Sequence, residues 1–164
     1  MKRERFEEFL SKNEKRIFNY IWHLTRNETD AQDVTQAAFI AFFEHIESID
    51  ESSAVAYMYK IAYNKSITFI KNKARYVEKD PADFQYLAAP VKPEEPDYSA
   101  LHAAMKELPP KLAGVIHLQY FEKLSYKEIA SQLGTTVKAV ESLCVRAKKI
   151  LRKKLMQESG GKGV

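Results

Sequence analysis

Residues 125–149, SYKEIASQLGTTVKAVESLCVRAKK, carry the strongest structural signal in this chain. Ser125, followed three residues later by Glu128, forms a capping-box pattern that satisfies backbone N–H groups of a first helical turn. Gly134 is predicted to end this short helix, because glycine accepts the left-handed conformation of a sharp exit. A longer helix follows, with apolar residues at intervals of three and four: Val137, Val140, Leu143, Ala147, Ile150 and Leu151. Two helices joined by a tight glycine-containing turn make a helix-turn-helix.

The side chains around this turn favour a DNA-binding unit. Ala130 is small where the two helix axes are expected to cross, and Val140 is expected to pack across the corner. The cations on or beyond the second helix are Lys138, Arg146, Lys148, Lys149, Arg152, Lys153 and Lys154. Such cations supply the phosphate contacts that dominate nonspecific DNA affinity. The alternative is a helical hairpin without a DNA partner, since cations also favour helix C termini.

The composition indicates a globular protein built mainly from helices. The chain has 164 residues, of which 45% are apolar and 29% charged, with only five glycines and six prolines. No run is long enough to span a bilayer, and no basic-then-apolar signal begins the chain. We therefore expect a cytoplasmic location and no direct insertion into a membrane.

Residues that usually carry catalysis or bind metal are sparse. Cys144 is the single cysteine, so that an internal disulfide is excluded. We expect it to pack in a core, and a redox role stays open. The four histidines have no cysteine or carboxylate at ligand spacing. Without a phosphate loop, a nucleophile elbow or paired carboxylates, the sequence predicts no enzyme, metal or cofactor.

The organisation predicted is all-α, with two small helical domains joined by a flexible linker. Domain 1–77 holds three amphipathic helices, the second capped by Thr29 with Gln32. Residues 78–98 contain four prolines and six acids, which is typical of a tether, although a functional loop is the alternative.

The second predicted domain, 99–156, contains the helix-turn-helix. Pro109 and Pro110 should stop one helix and start the next, so that four helices form this domain. Residues 157–164 have too little apolar content to fold and should be disordered. The charge is uneven: residues 99–164 carry twelve cations and five acids, a net charge of +7.

Three stretches, in order, resemble bacterial RNA polymerase sigma factors of the extracytoplasmic-function (ECF) type. They are DAQDVTQAAFIAFFE, AYMYKIAYNKSITFIKNKAR and LPPKLAGVIHLQYFEKLSYKEIASQLGTTVKAVESLCVRAKKIL. The resemblance covers about residues 6–76 and 99–155. It implies a protein that binds core RNA polymerase and recognises promoter DNA, the first domain at the −10 element and the second at −35. Family members are often held inactive by an anti-sigma factor.

The resemblance also nominates site residues in the first domain. Asp33 and Gln36 would dock on polymerase, whereas Gln32 and Ala37 stand where glutamates are common in the family. A plain solvated helix face is the alternative. The loop 49–54 would capture an unpaired base, a step whose cost a pocket must offset. The −10 contacts implied are Ser52, Ser53, Lys60, Asn64, Lys65 and Lys71, with Lys73 and Arg75 as further phosphate ligands.

A recognition helix contacts base edges mainly through its N-terminal residues. In the second domain this nominates for the −35 element Thr136, Lys138, Ala139, Glu141, Ser142, Arg146 and Lys149. Two rival readings stay open. A stand-alone helix-turn-helix regulator would bind duplex DNA without polymerase, and a protein–protein adaptor would mimic the fold without binding DNA.

Overall fold

The structure, a computed structural model, describes residues 2–79 and 99–163. Within those ranges every regular element is a helix or helical turn. The chain divides into two compact units, residues 1–91 and 92–164. The all-α, two-unit prediction is therefore confirmed. Most of the predicted linker, residues 80–98, lies outside the described residues.

Three helices pack against one another in the first unit. They are α1 (Lys2–Thr25), α2 (Glu28–His45) and α3 (Ala54–Lys79). Large side chains from all three are fully buried between them, among them Ile17, Tyr20, Ile21, Leu24, Phe42, Met58 and Tyr59. The predicted spacing of apolar residues thus does form a shared core. The third helix runs two residues past the predicted domain end at 77.

The start of α2 differs from the prediction. Asn27, not Thr29, is the N-cap: its side-chain oxygen accepts a hydrogen bond from the backbone N–H of Asp30 at 3.0 Å. Just before it, Arg26 has a positive φ of 60°, and its N–H bonds to the carbonyl of Trp22. This left-handed residue turns the chain within two residues, so that Asn27 already stands at the cap position.

Two short 3₁₀ turns connect α2 to α3. They are Ile46–Ser48 and Glu51–Ser53. Ile46 and Ile49 are buried, whereas the residues between and after them are exposed. The connection is therefore anchored by two apolar side chains and presents its polar residues to solvent.

The second unit contains four helices and a π-helical turn. They are α4 (Ser99–Met105), α5 (Pro110–Ile116), the turn His117–Phe121, α6 (Tyr126–Leu133) and α7 (Val137–Gly163). Pro109 caps α5 and Pro110 begins it, as predicted. The core joins α4, α5 and α7 through Ala104, Met105, Leu108, Leu112, Ala113, Ile116, Ala147 and Leu151.

The final helix is longer than the sequence predicted. α7 continues to Gly163, whereas we expected a disordered tail at 157–164. Once a helix exists, each added residue gains a backbone hydrogen bond without a new nucleation cost. The prediction of disorder rested on the low apolar content of the tail. Extension of an existing helix does not depend on that content.

Candidate nucleic-acid and polymerase interface

Four local hydrogen bonds shape the start of α6 and the turn that follows it. Ser125 Oγ accepts from the Glu128 N–H at 3.1 Å, and Glu128 Oε1 accepts from the Ser125 N–H at 3.0 Å. Gly134 ends α6 with φ 69° and ψ 38°, and its N–H bonds to the Ala130 carbonyl. The N–H of Thr135 bonds to that same carbonyl at 2.9 Å. The capping box and the glycine exit are both confirmed.

The inner face of the pair is closely packed. Ala130 is 4% exposed and Val140, at the corner, is fully buried. Further along α7, Cys144 and Ala147 are also fully buried. Contacts between α6 and α7 are extensive. The small and branched side chains thus fix one face of α7 and leave the other face to solvent.

The exposed face of α7 carries most of the predicted −35 residues. Besides Thr136, which is exposed at the start of the helix, five of them are exposed: Lys138, Glu141, Ser142, Arg146 and Lys149. Ala139 is half-buried, and Thr136 serves as the N-cap, with its Oγ1 accepting from the Ala139 N–H at 3.0 Å. Residues three and four apart share a helix face, so the structure brings these five side chains into one polar surface.

Two valines on this surface were missed as candidate contacts. Val137 is 45% exposed, although the sequence pattern assigned it to the buried stripe, and Val145 is 57% exposed. Apolar side chains can contact the methyl group of thymine in the major groove. A signal existed for Val145, because it lies three residues after Ser142 and so continues the exposed face. Val137 is the first residue of α7, where a helical repeat is a weak guide.

Lys148 differs from the other cations of α7. Its Nζ donates a hydrogen bond to the Tyr126 hydroxyl at 3.2 Å. It also lies 5.7 Å and 5.9 Å from the ring centroids of Tyr126 and Tyr120. The bond to Tyr126 is the main cause that raises the pKa of this lysine. Lys148 therefore ties α7 to the neighbouring elements of its own unit, in contrast to the exposed Lys149.

The face of α2 that points to solvent is mixed in character. Asp33 and Gln36 are exposed, as a docking surface requires, and so are Gln32 and Ala37. Ile40, one turn further on, is 54% exposed. Ile40 lies four residues after Gln36, so it adds an exposed apolar side chain to this face that sequence reasoning had not singled out.

The predicted −10 residues lie along α3 and in the turn before it. Lys60, Asn64 and Lys71 are exposed and follow one face of the helix, while Lys65 is exposed beside them. Ser52 and Ser53 are exposed in the second 3₁₀ turn. Lys73 is different, because its Nζ forms an ion pair with Asp30. That pairing joins the end of α3 to the start of α2 and removes Lys73 from the free phosphate ligands.

An open groove of about 510 Å³ runs between α2 and α3. Its lining includes Asp33 from the predicted polymerase surface and Asn64 with Lys65 from the predicted DNA surface. The structure therefore brings members of two predicted sites to the same groove. Over residues 2–79 and 99–163, no three histidine, cysteine or carboxylate side chains converge in a way that could hold a metal ion. No helix in the described ranges has the length and apolar character needed to cross a bilayer.

Two family descriptions match the chain, one in each unit. Sigma-70 region 2 matches residues 9–76, and Sigma-70, region 4 matches residues 98–151. The RNA polymerase sigma-E factor of Streptomyces antibioticus is 30% identical to the chain over 154 residues, which are 92% of the chain and 84% of that protein. The chain belongs to the sigma-70 family. Sigma factors are non-enzymatic transcription initiation factors.

Similarity to a second relative identifies the ECF group within this family. The ECF RNA polymerase sigma factor SigE of Mycolicibacterium smegmatis is 27% identical over 161 residues. That match covers 94% of this chain, which spans 63% of the length of SigE. Both halves of the resemblance found in the sequence are thus confirmed, and the chain is an ECF-type sigma factor.

The fold agrees with that of a solved sigma factor. RpoE of Bartonella quintana, crystallised in complex with the anti-sigma factor NepR, superposes with a TM-score of 0.76. The match covers 93% of this chain and 98% of RpoE, at 18% sequence identity. This likeness concerns the fold, because the identity is too low to transfer individual contacts.

Proposed function

We propose that this chain binds core RNA polymerase and directs it to promoters through a −10 element and a −35 element. One observation carries the proposal: region 2 and region 4 occur in order in a single chain, each on its own compact unit. A stand-alone regulator needs the second unit alone. The first unit adds an exposed face of α2 and a row of cations on α3. Binding to polymerase and to melted DNA explains these features, whereas a stand-alone regulator does not need them.

In the second unit, the exposed face of α7 is the proposed reader of the −35 element. Arg146 and Lys149 would meet the phosphate backbone or a guanine edge, while Ser142 and Glu141 face base edges. A carboxylate repels phosphate but accepts a hydrogen bond from cytosine N4. Val145 adds an apolar contact to that face. Thr136 would act mainly through its cap, by fixing the start of the helix.

In the first unit, polymerase binding is assigned to α2 and binding of the −10 element to α3 and the turn before it. Asp33 and Gln36 on α2 are assigned to polymerase, with Ile40 as an added apolar contact. Lys60, Asn64, Lys65 and Lys71 on α3 are assigned to the −10 strand. Ser52 and Ser53 would border the extruded base, for which hydroxyl groups offer hydrogen bonds.

The same proposal covers partners and location. An anti-sigma factor is a proposed partner, since a protein of this fold has been crystallised with one. The proposed action is in the cytoplasm, where polymerase and promoters are found. The chain would supply recognition only, without catalysis, metal or cofactor.

Run-off transcription with purified bacterial core polymerase tests the proposal. The template is a library in which the −35 and −10 elements are randomised, so that no promoter sequence has to be known beforehand. We expect the wild-type chain to enrich a subset of templates and to initiate at a fixed distance from them. If the chain binds duplex DNA without polymerase and enriches nothing in transcription, it is a stand-alone regulator. Binding to proteins but to no DNA would identify an adaptor.

Matched variants separate recognition from general charge. Lys149→Ala removes a cation from the proposed DNA face, and Lys15→Ala removes one from an exposed position of α1. We expect Lys149→Ala to reduce transcription from all enriched templates alike, and Lys15→Ala to leave it unchanged. Equal effects of the two variants would contradict the assignment of α7 to DNA.

A further inference from the structure

Arg5, in the second turn of α1, holds the connection between α2 and α3. Its Nη1 donates to the carbonyl of Ile46 at 2.8 Å, and its Nη2 donates to the carbonyl of Ile49. These carbonyls lie 41 and 44 residues further along the chain. One guanidinium group thus spans the first 3₁₀ turn from its beginning to the residue after its end.

The acceptors are backbone carbonyls at the end of α2 and just after the first 3₁₀ turn; the Ile46 carbonyl also accepts from the Ile49 N–H at 3.3 Å. Ile46 is the C-cap of α2, where the last carbonyls of a helix have no intrahelical N–H. A cation at this end also interacts favourably with the helix dipole. Arginine suits the position because its planar fork presents two N–H groups in fixed directions, whereas lysine is a point charge on a flexible stem.

Aromatic packing holds the start of α1, which carries Arg5, against α2. The neighbouring Phe6 packs edge-to-face on Phe43, with ring centroids 4.9 Å apart, and on Phe39 at 6.3 Å. Lys2 lies over the ring of Phe43, 4.6 Å from its centroid. The start of α1 is therefore docked on the end of α2, which brings Arg5 within reach of the two carbonyls.

The charge of Glu51, in the second 3₁₀ turn, also acts on a side chain of α1. The hydrogen bond and charge of Glu8 are the main causes that raise the pKa of Lys12, and the charge of Glu51 adds to them. Glu51 is the first residue of the turn that contains Ser52 and Ser53. Direct packing against α1 is seen for the first turn, Ile46–Ser48, whereas the second turn packs against α3.

We propose that Arg5 is a positioning residue for base capture: it holds the backbone of residues 46–49 so that Ser52 and Ser53 face the −10 strand. The proposal rests on the function proposed above for this loop. Ile46 and Ile49 anchor the connection by burial, and the turn between them is closed by one backbone hydrogen bond, from the Ile49 N–H to the Ile46 carbonyl at 3.3 Å. The two hydrogen bonds from Arg5 hold both ends of this turn in addition, before DNA binds, which lowers the ordering cost of binding.

The test uses the full chain assembled with core polymerase and a promoter selected from the randomised library. Three affinities are measured for the wild type, Arg5→Ala and Arg5→Lys: for core polymerase, for a duplex −35 fragment, and for a single-stranded −10 oligonucleotide. Arg3→Ala is the matched control, because Arg3 is an exposed arginine of the same helix paired only with Glu7 in the described contacts. Thermal unfolding of each variant sets a working temperature well below its transition.

We expect Arg5→Ala to bind the −10 oligonucleotide about tenfold more weakly, as for the loss of a charge-assisted hydrogen-bond pair. Core and −35 affinities should stay as in the wild type, Arg5→Lys should recover only part of the loss, and Arg3→Ala should have no effect. Equal losses in all three affinities, or unchanged −10 binding by Arg5→Ala, would overturn the inference. If the wild type itself initiates at no promoter, the proposed function has failed; if it initiates and Arg5→Ala behaves like it, only this inference has.

A second measurement covers the case in which Arg5→Ala folds poorly. Ser52→Ala with Ser53→Ala, alone and combined with Arg5→Lys, gives a mutant cycle on −10 binding. If Arg5 acts through these serines, the combined loss is smaller than the sum of the separate losses. Additive losses would mean that Arg5 acts elsewhere, which contradicts the proposal.

Discussion

At the scale of single residues, the turn of the helix-turn-helix depends on the backbone of Gly134. Its φ of 69° is left-handed, and a Cβ built there would meet no atom within 4 Å. The cost of Gly134→Ala is therefore backbone strain without a clash, about 1 kcal/mol of unfolding free energy. Chemical denaturation should show this loss, with a smaller one for Gly134→Asn, since asparagine tolerates the left-handed region. A much larger loss from alanine would indicate crowding that the structure does not contain.

The capping box makes the second unit sensitive to acid. Bonds from the Ser125 backbone and side chain hold the pKa of Glu128 below its ordinary value. The pKa of Glu128 is lower in the folded state than in the unfolded state, so the ionised carboxylate stabilises the fold at pH values above the ordinary carboxyl pKa. This stabilisation is lost as the pH falls through the lowered pKa. Glu128→Gln should flatten that part of the pH dependence of unfolding, whereas Glu141→Gln, at an exposed position of α7, should not. An NMR titration of Glu128 at its ordinary pKa would refute this.

Cys144 is expected to be chemically silent in the folded protein. Its side chain is fully buried, and burial raises the pKa of the thiol, with the charge of Lys148 acting in the opposite direction. A buried thiol that stays protonated reacts slowly, because the thiolate is the nucleophile. A thiol reagent such as Ellman's should therefore label Cys144 only at the rate of unfolding. Rapid labelling at neutral pH would reopen the redox role.

At the scale of elements, two lysines two residues apart on α3 should behave differently. Lys71 is exposed, whereas Lys73 is paired with Asp30, whose side chain is 16% exposed. Lys73→Ala should cost up to about 1 kcal/mol of unfolding free energy, as for a partly exposed ion pair. Lys71→Ala should leave stability unchanged and reduce the salt dependence of promoter binding by about one phosphate contact. Reversed outcomes would contradict the assignment of the two side chains.

Most elements could be predicted because their signals are local. Helix α6 is an example: the cap, the apolar stripe and the terminal glycine all lie within ten residues. The cap of α2 was misplaced by two residues, because the left-handed Arg26 carries no signal that distinguishes it from a helical residue. The π-helical turn after Ile116 was also missed, since its extra residue is set by packing and leaves no pattern in the sequence.

At the scale of the whole molecule, the sequence predicts which candidate residues are exposed. It does not predict which of them form hydrogen bonds or ion pairs with distant parts of the chain. Exposure of Asn64 or Lys149 follows from helical periodicity, which sorts residues into faces. The bond from Arg5 to the Ile46 carbonyl and the pairing of Lys73 with Asp30 join residues 41 and 43 apart in sequence. Such contacts depend on how helices pack, so that periodicity alone cannot separate a cation that binds phosphate from one that supports the fold.

The division into two units leads to a prediction about how promoter affinity adds up. Lys71 and Lys149 lie on different units, each with its own core, and substitutions without shared partners usually add. In the polymerase complex, the binding free energies lost in Lys71→Ala and Lys149→Ala should therefore sum in the double variant to within about 0.5 kcal/mol. The dependence of log affinity on log salt should become shallower by about two contacts, measured by filter binding between about 50 and 200 mM salt. If the double variant binds the promoter as tightly as either single variant, the −10 and −35 elements are not bound at the same time. That result would contradict a factor that binds both elements in one complex.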